Sequence, residues 1–240
     1  MIKKPTNLLR IGNILFDLSP KCGSNSVMSS ILHGKKLKSA SHLHPRSYWH
    51  YHDKHAVKEI QPEDITIKVV RNPYNRIVSS FYHFLQSSKL QDMTFIEFLE
   101  KTKIMHESNF NLKESEGLFP NINQKYFEMF FLQTNADDIK FDHVIKLENF
   151  NEEILKINKS YNTSFKPMLM KLNSRKKTEQ VLDIEYPTSK FSKFVKTSRR
   201  GPRWFLPADY RLMYNDRSVE LVEEIYGEDI DNFNYTRFKL

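Results

Sequence analysis

The sequence predicts an α/β fold, a central parallel sheet flanked by helices. Two observations carry this. Ile14-Leu15-Phe16 and the β-branched run Ile65–Val70 each lead through a polar loop into a segment with apolar residues at helical spacing. A third strand-like run, Asp142–Leu147, again precedes a helical pattern. Strands alternating with helices call for a parallel sheet covered on both faces.

Ile11–Leu18 reads as a strand that ends in turn chemistry at Ser19-Pro20. Ser24–His33 places Val27, Met28, Ile31 and Leu32 on one helical face, with Gly34 as the stop. Ile65–Val70 is the second strand. Asn72 can cap the next helix and Pro73 suits its first position; Ile77, Val78, Phe81, Tyr82 and Leu85 form its apolar side. Thr94 and Glu97 make a capping box, which predicts a helix over Phe95–Thr102. Ile104–Phe119 is polar and reads as a long loop, and Asn123–Gln133 as an aromatic-rich helix. After the third strand a helix is expected near Glu152–Tyr161. Lys166–Thr197 suggests loops and short elements, and Pro207–Tyr226 a helix in one or two pieces, stopped by Gly227.

Composition narrows the function. The chain has 240 residues, 39% apolar and 13% aromatic, enough for a sizeable core in one domain over 1–240. Lys and Arg number 37 against 29 Asp and Glu, a net charge of +8. That excess points to a polyanionic partner: nucleic acid, nucleotide, acidic glycan or anionic lipid. The single cysteine, Cys22, excludes an intramolecular disulfide and a Cys-rich zinc module. Met1–Leu9 holds two lysines but no apolar run of signal-peptide length, and no segment is long enough to span a bilayer. A soluble, cytoplasmic protein without membrane insertion is expected.

Both early strands run into a helix through a polar loop, which aims backbone N–H groups and a helix N-terminus at one spot. The first loop, Ser19-Pro20-Lys21-Cys22-Gly23-Ser24-Asn25-Ser26, offers a cation, a glycine for close backbone approach, and hydroxyl and amide side chains. It is not a Walker A loop, because its lysine precedes the glycine. In the second, Arg71 ends a strand and Ser79 lies two turns into the following helix. A forked guanidinium and a hydroxyl suit a single phosphate.

Together these segments are specific. PKCGSNS followed by VVRNPYNRIVSSFYHF resembles the sulfotransferases that use 3′-phosphoadenosine 5′-phosphosulfate (PAPS), in particular the carbohydrate and bacterial or viral type. FDHVIKLENFNEEI is similar to that family's third strand, LVEEIYGEDIDNFNY to its C-terminal close, and TSRRGPRW loosely to the loop over the 3′-phosphate. The resemblance implies a P-loop-NTPase-like fold, with PAPS as cofactor, PAP as product and no metal. It assigns Lys21, Cys22, Gly23, Ser24, Asn25 and Ser26 to the 5′-phosphosulfate. Arg71 and Ser79 go to the 3′-phosphate, with Arg199, Arg200 and Gly201 of the segment 195–240 as helpers. Asn25 stands where Thr is more usual, and its amide can still donate. No Trp follows the first loop to serve as an adenine platform. The implied partner is a hydroxyl-bearing acceptor, a glycan that can itself be acidic.

The acceptor hydroxyl needs a general base, and His is the usual choice near pH 7. Six of the nine His fall between the two loops. His42 and His44, two apart in SHLHP, share one face of a strand. In the resembled family the base is often a His on this stretch, which makes that pair the first candidate and His55, in KHAVKEI, the second. Irregular His spacing without Cys argues against zinc. Two other classes compete with this one. A nucleotide or small-molecule kinase would need a Walker A loop and a magnesium Asp. A nucleic-acid-binding domain would need a sustained Lys/Arg stripe interleaved with aromatics, so no nucleic acid is expected.

Overall fold

Leu8–Ile11 (β1) and Ile14–Leu18 (β2) form an antiparallel hairpin with Ile11 opposite Ile14. Gly12 occupies the first central position of the two-residue turn at φ 68, the pattern of a type II′ hairpin. The strand expected from Ile11 therefore begins at Ile14, and the residues before the turn become its partner. The structure is a computed structural model that describes residues 8–33, 56–57, 59–86, 93–110, 117–119, 129–134, 140–168, 196–198, 201–203 and 209–240. Contacts divide the chain into two units: Met1–Asn72 with Asn135–Ser174, and Pro73–Thr134 with Arg175–Leu240.

In the first unit β2 continues through a loop into α1, Ser24–His33, the bounds expected from its apolar spacing. Ala56–Val57 (β3) pairs antiparallel with β1. Ile65–Val70 (β4) pairs parallel with β2, and His143–Lys146 (β5) pairs parallel with β4. The sheet order is β3-β1-β2-β4-β5, with β3 only two residues long. The sheet is therefore mixed, not parallel throughout. A two-residue turn can join only antiparallel neighbours, whereas the parallel pairs rest on longer crossovers.

One sheet face carries Leu9, Phe16, Ile67, Val69 and Ile145. It packs with Val27 and Ile31 of α1 and with Phe150, Ile154 and Ile157 of α4, Phe150–Tyr161. On the other face Asp17 and Lys68 are direct register partners, joined by a 2.6 Å ion pair with Lys68 only 3% exposed. Lys68 Nζ also lies 4.9 Å from the centre of the Phe141 ring. Polar links tie segments of the sheet together. Arg10 pairs with Asp64, and Asp142 accepts from the Thr66 N–H at 2.8 Å and hydroxyl at 2.9 Å. Those bonds from Thr66 hold the Asp142 carboxyl below its ordinary value.

The described residues of the second unit are mainly helical: α2, Pro73–Gln86; α3, Phe95–Glu107; a 3-10 turn, Tyr210–Met213; and α5, Asp216–Asn232. Thr94 and Glu97 form the expected capping box. The helix runs past Thr102 to Glu107, because Phe95, Phe98, Leu99, Thr102 and Met105 extend one buried face. The loop expected from Ile104 thus begins only after Glu107, where Asn109 and Phe110 take positive φ. Of the helix expected over Asn123–Gln133, residues 129–133 are described and are not α-helical. They are tied down through their backbone instead: Arg76 donates to Phe131 O, Tyr226 to Phe130 O, and Asp229 accepts from Gln133 and Thr134. Gly227 does not stop the last helix. The chain kinks at Tyr226 (φ −121, ψ 19) and continues to Asn232, with Asp229 and Ile230 buried beyond it.

The C-terminal tail is fastened to the start of α2: Tyr74 donates to Glu223 and accepts from the Phe238 N–H, while Arg237 bridges Glu223 and Asp231. Lys196–Ser198 (β6) and Gly201–Arg203 (β7) pair antiparallel, with Ser198 opposite Gly201. Among the described residues no helix is long and apolar enough to cross a membrane.

Candidate anion-binding site

Three parallel strands of the first unit, β2, β4 and β5, end at one edge of the sheet, the edge where open α/β sheets bind ligands. Each leaves that edge through a short loop, and the three loops are linked.

The first loop takes its shape from two left-handed residues, Lys21 at φ 65 and Gly23 at φ 73. The Cys22 N–H closes a turn onto Ser19 O at 3.2 Å. Gly23 O then accepts from the Ser26 and Val27 N–H groups at 2.8 and 3.0 Å, which starts α1. The first turn of a helix leaves N–H groups without an internal acceptor, and α1 has no acidic residue there. Left-handed residues alternating with ordinary ones in such a turn form a concave nest of N–H groups suited to an anion. Cys22 is 1% exposed, so its thiol anchors the loop in the interior.

The neighbouring loops brace this one. Arg71, just after β4, donates from Nη1 to Lys21 O at 2.9 Å. The Asn72 N–H donates to Glu148 Oε1 at 3.0 Å. Glu148 belongs to the 3-10 turn Leu147–Asn149 that succeeds β5. Leu147 of the same turn closes over Gly23: a Cβ added there would lie 2.7 Å from both Leu147 methyls. Glycine is thus favoured at 23 twice, by its φ and by this approach.

Of the residues singled out in the sequence, Lys21, Cys22, Gly23, Ser24, Asn25, Ser26 and Arg71 lie in this first-unit assembly. Ser79 is half-buried on α2 in the second unit, and Gly201 begins β7. His42, His44, His55, Arg199 and Arg200 lie outside the described residues. Sequence reasoning missed Leu147 and Glu148 as parts of the site. Their signal was position: Leu147 ends, and Glu148 follows, the third strand predicted for the parallel sheet. Among the described residues no group of three or more His, Cys, Asp and Glu could hold a metal ion. Compared with protein-family models, curated proteins and solved structures, the chain gives no significant match.

Gly23→Ala is expected to lower unfolding free energy by about 1–2 kcal/mol from the left-handed backbone alone. The contact with Leu147 adds to this. In urea titrations, adding Leu147→Ala should relieve the crowding but not the backbone cost. A Gly23→Ala protein as stable as the parent would show that the loop has another conformation open to it.

Proposed function

We propose that the chain is a PAPS-dependent O-sulfotransferase, acting on a hydroxyl of a carbohydrate through a P-loop-NTPase-like sheet. The observation that carries this reading is the Lys21 loop at the sheet edge, its carbonyl held by Arg71. The donor set fits the ligand: a lysine, a nest of backbone N–H groups and a guanidinium answer a nucleotide bearing two separate anionic groups. The net charge of +8 also suits an acceptor that is itself acidic.

When bound, PAPS supplies a sulfuryl group: the acceptor oxygen bonds to sulfur as the bridging S–O bond to the nucleotide breaks, leaving PAP. The protein supplies position and charge, as in phosphoryl transfer. Lys21 stabilises the charge that grows on the bridging oxygen. The N–H groups of the loop and of the α1 start hold the 5′ group, and Arg71 binds the 3′-phosphate. A histidine, His42 or His44 before His55, takes the acceptor's proton.

Thermal shifts test the reading. PAP without metal should stabilise the protein by about 2.7 kcal/mol at one hundred times its Kd, and more than AMP does at the same concentration. Equal shifts with PAP and AMP would remove the 3′-phosphate assignment. A response to ATP with Mg²⁺ but not to PAP would favour a kinase.

A further inference from the structure

A sulfotransferase function gives Arg71 to the 3′-phosphate, and a second duty for the same side chain rests on that function. The geometry points to this duty: Arg71 is a positioning residue for the 5′-phosphosulfate loop, so one side chain couples the two ends of the nucleotide site.

The argument starts from one peptide unit. The carbonyl of Lys21 and the N–H of Cys22 share a plane and point in opposite directions. The structure fixes that plane at both poles. The Cys22 N–H reaches Ser19 O at 3.2 Å, and the Lys21 carbonyl receives Arg71 Nη1 at 2.9 Å. The second bond is charge-assisted and the stronger kind. Lys21 needs such a hold. Its φ of 65 is a conformation that costs a residue with a Cβ about 1–2 kcal/mol. Were Lys21 to relax to negative φ, the plane would turn, and a carbonyl dipole could swing toward the space meant for an anion. Arg71 keeps that carbonyl on its own side.

The neighbouring loops restrain the rest of this one. Leu147 closes on Gly23, and Glu148 holds the Asn72 N–H next to Arg71. A guanidinium presents five N–H groups in one plane, so a bond to a carbonyl and a bond to a phosphate are compatible. Lysine, a point charge with no fork, matches only part of this.

The experiment compares AMP, which has the 5′-phosphate alone, with PAP, which has both groups. Calorimetry is run on the full chain, on Arg71→Ala and on Arg71→Lys. Amide hydrogen exchange of residues 22–26 is monitored without nucleotide. If Arg71 only read the 3′-phosphate, Arg71→Ala would weaken PAP and leave AMP unchanged. The positioning role predicts that AMP also weakens, by roughly tenfold, the effect of one charge-assisted hydrogen bond. It also predicts that Arg71→Lys recovers most of the AMP affinity but less of the PAP affinity. Exchange at 22–26 should speed up in Arg71→Ala while the β4 amides keep their protection, which separates local loosening from general destabilisation.

Unchanged AMP affinity with weakened PAP would overturn the positioning role and leave the sulfotransferase reading standing. Failure of the parent protein to bind either nucleotide would overturn that reading instead, and exchange would still decide the brace. Faster exchange at 22–26 upholds it, and unchanged exchange ends it. Should Arg71→Ala fail to fold, Arg71→Met, which keeps the length of the side chain and removes its donors, carries the same comparison.

Discussion

Asp229→Ala is expected to cost about 3–4 kcal/mol of unfolding free energy, a large fraction of the total stability of an ordinary domain. Asp229 is fully buried. Its two carboxylate oxygens accept from the Gln133 N–H at 2.8 Å, the Thr134 N–H at 2.7 Å and the Thr134 hydroxyl at 2.7 Å. Gln133 is itself 1% exposed, so truncation would strand donors where water does not readily reach. Each stranded donor costs about 1–3 kcal/mol, partly recovered by relaxation. Surface ion pairs such as Arg211–Asp209 and Arg217–Glu220 lie on the same unit, but exposed pairs of this kind contribute about 0–1 kcal/mol each. One buried carboxylate therefore outweighs them. Asp229→Asn keeps one acceptor oxygen and should lose roughly half as much. Urea denaturation measures both. A loss below about 1 kcal/mol for the alanine variant would mean that residues 131–134 are held by Arg76 and Tyr226 without help from Asp229.

The sequence was legible where local pattern and tertiary packing agree. Val27, Met28, Ile31 and Leu32 mark the buried face of α1, and they set its bounds. The β-branched run of β4 is equally direct. Legibility ended where a local signal was outvoted. Gly227 looks like a stop, and glycine in a helix costs about 1 kcal/mol. Burial of Ile230 beyond it, together with the Asp229 bonds, is worth more, so the helix kinks and goes on. Gly12 lies inside an apolar run that looks like one strand, yet it turns the chain, and with it the sheet becomes mixed. In the site, Lys21, Gly23 and the small polar residues after them were visible as a polar strand–helix loop, and their assignment came from the resemblance of PKCGSNS to a known nucleotide-binding loop. What Arg71 touches was not visible. Its partner is a backbone carbonyl, a group every residue carries, and only the fold selects Lys21. Leu147 was hidden for the same reason, since its role is a shape that matters only opposite a glycine.

Under the proposed sulfotransferase function, Lys21→Ala should lower sulfuryl turnover by about 10²–10³-fold, the range for losing one preorganised donor to a developing negative charge. The substitution is cleaner than it looks. Lys21 sits at φ 65, and alanine meets the same backbone cost there as lysine, so the loop gains no new strain. The bond from Arg71 goes to the carbonyl of residue 21, which alanine retains. What is removed is the ammonium with its alkyl stem. PAP lacks the sulfuryl group and does not carry the charge that grows during transfer, so its affinity should fall by less than about tenfold. Turnover can be measured as PAP release from PAPS, with water as the acceptor if no glycan is at hand. Lys21→Arg restores a cation on a longer, planar head and should recover part of the rate. Equal losses in PAP affinity and in turnover would assign Lys21 to holding the nucleotide in its ground state. A normal rate would move the leaving-group charge to the loop N–H groups alone, and with it the case for a lysine at this position of the loop.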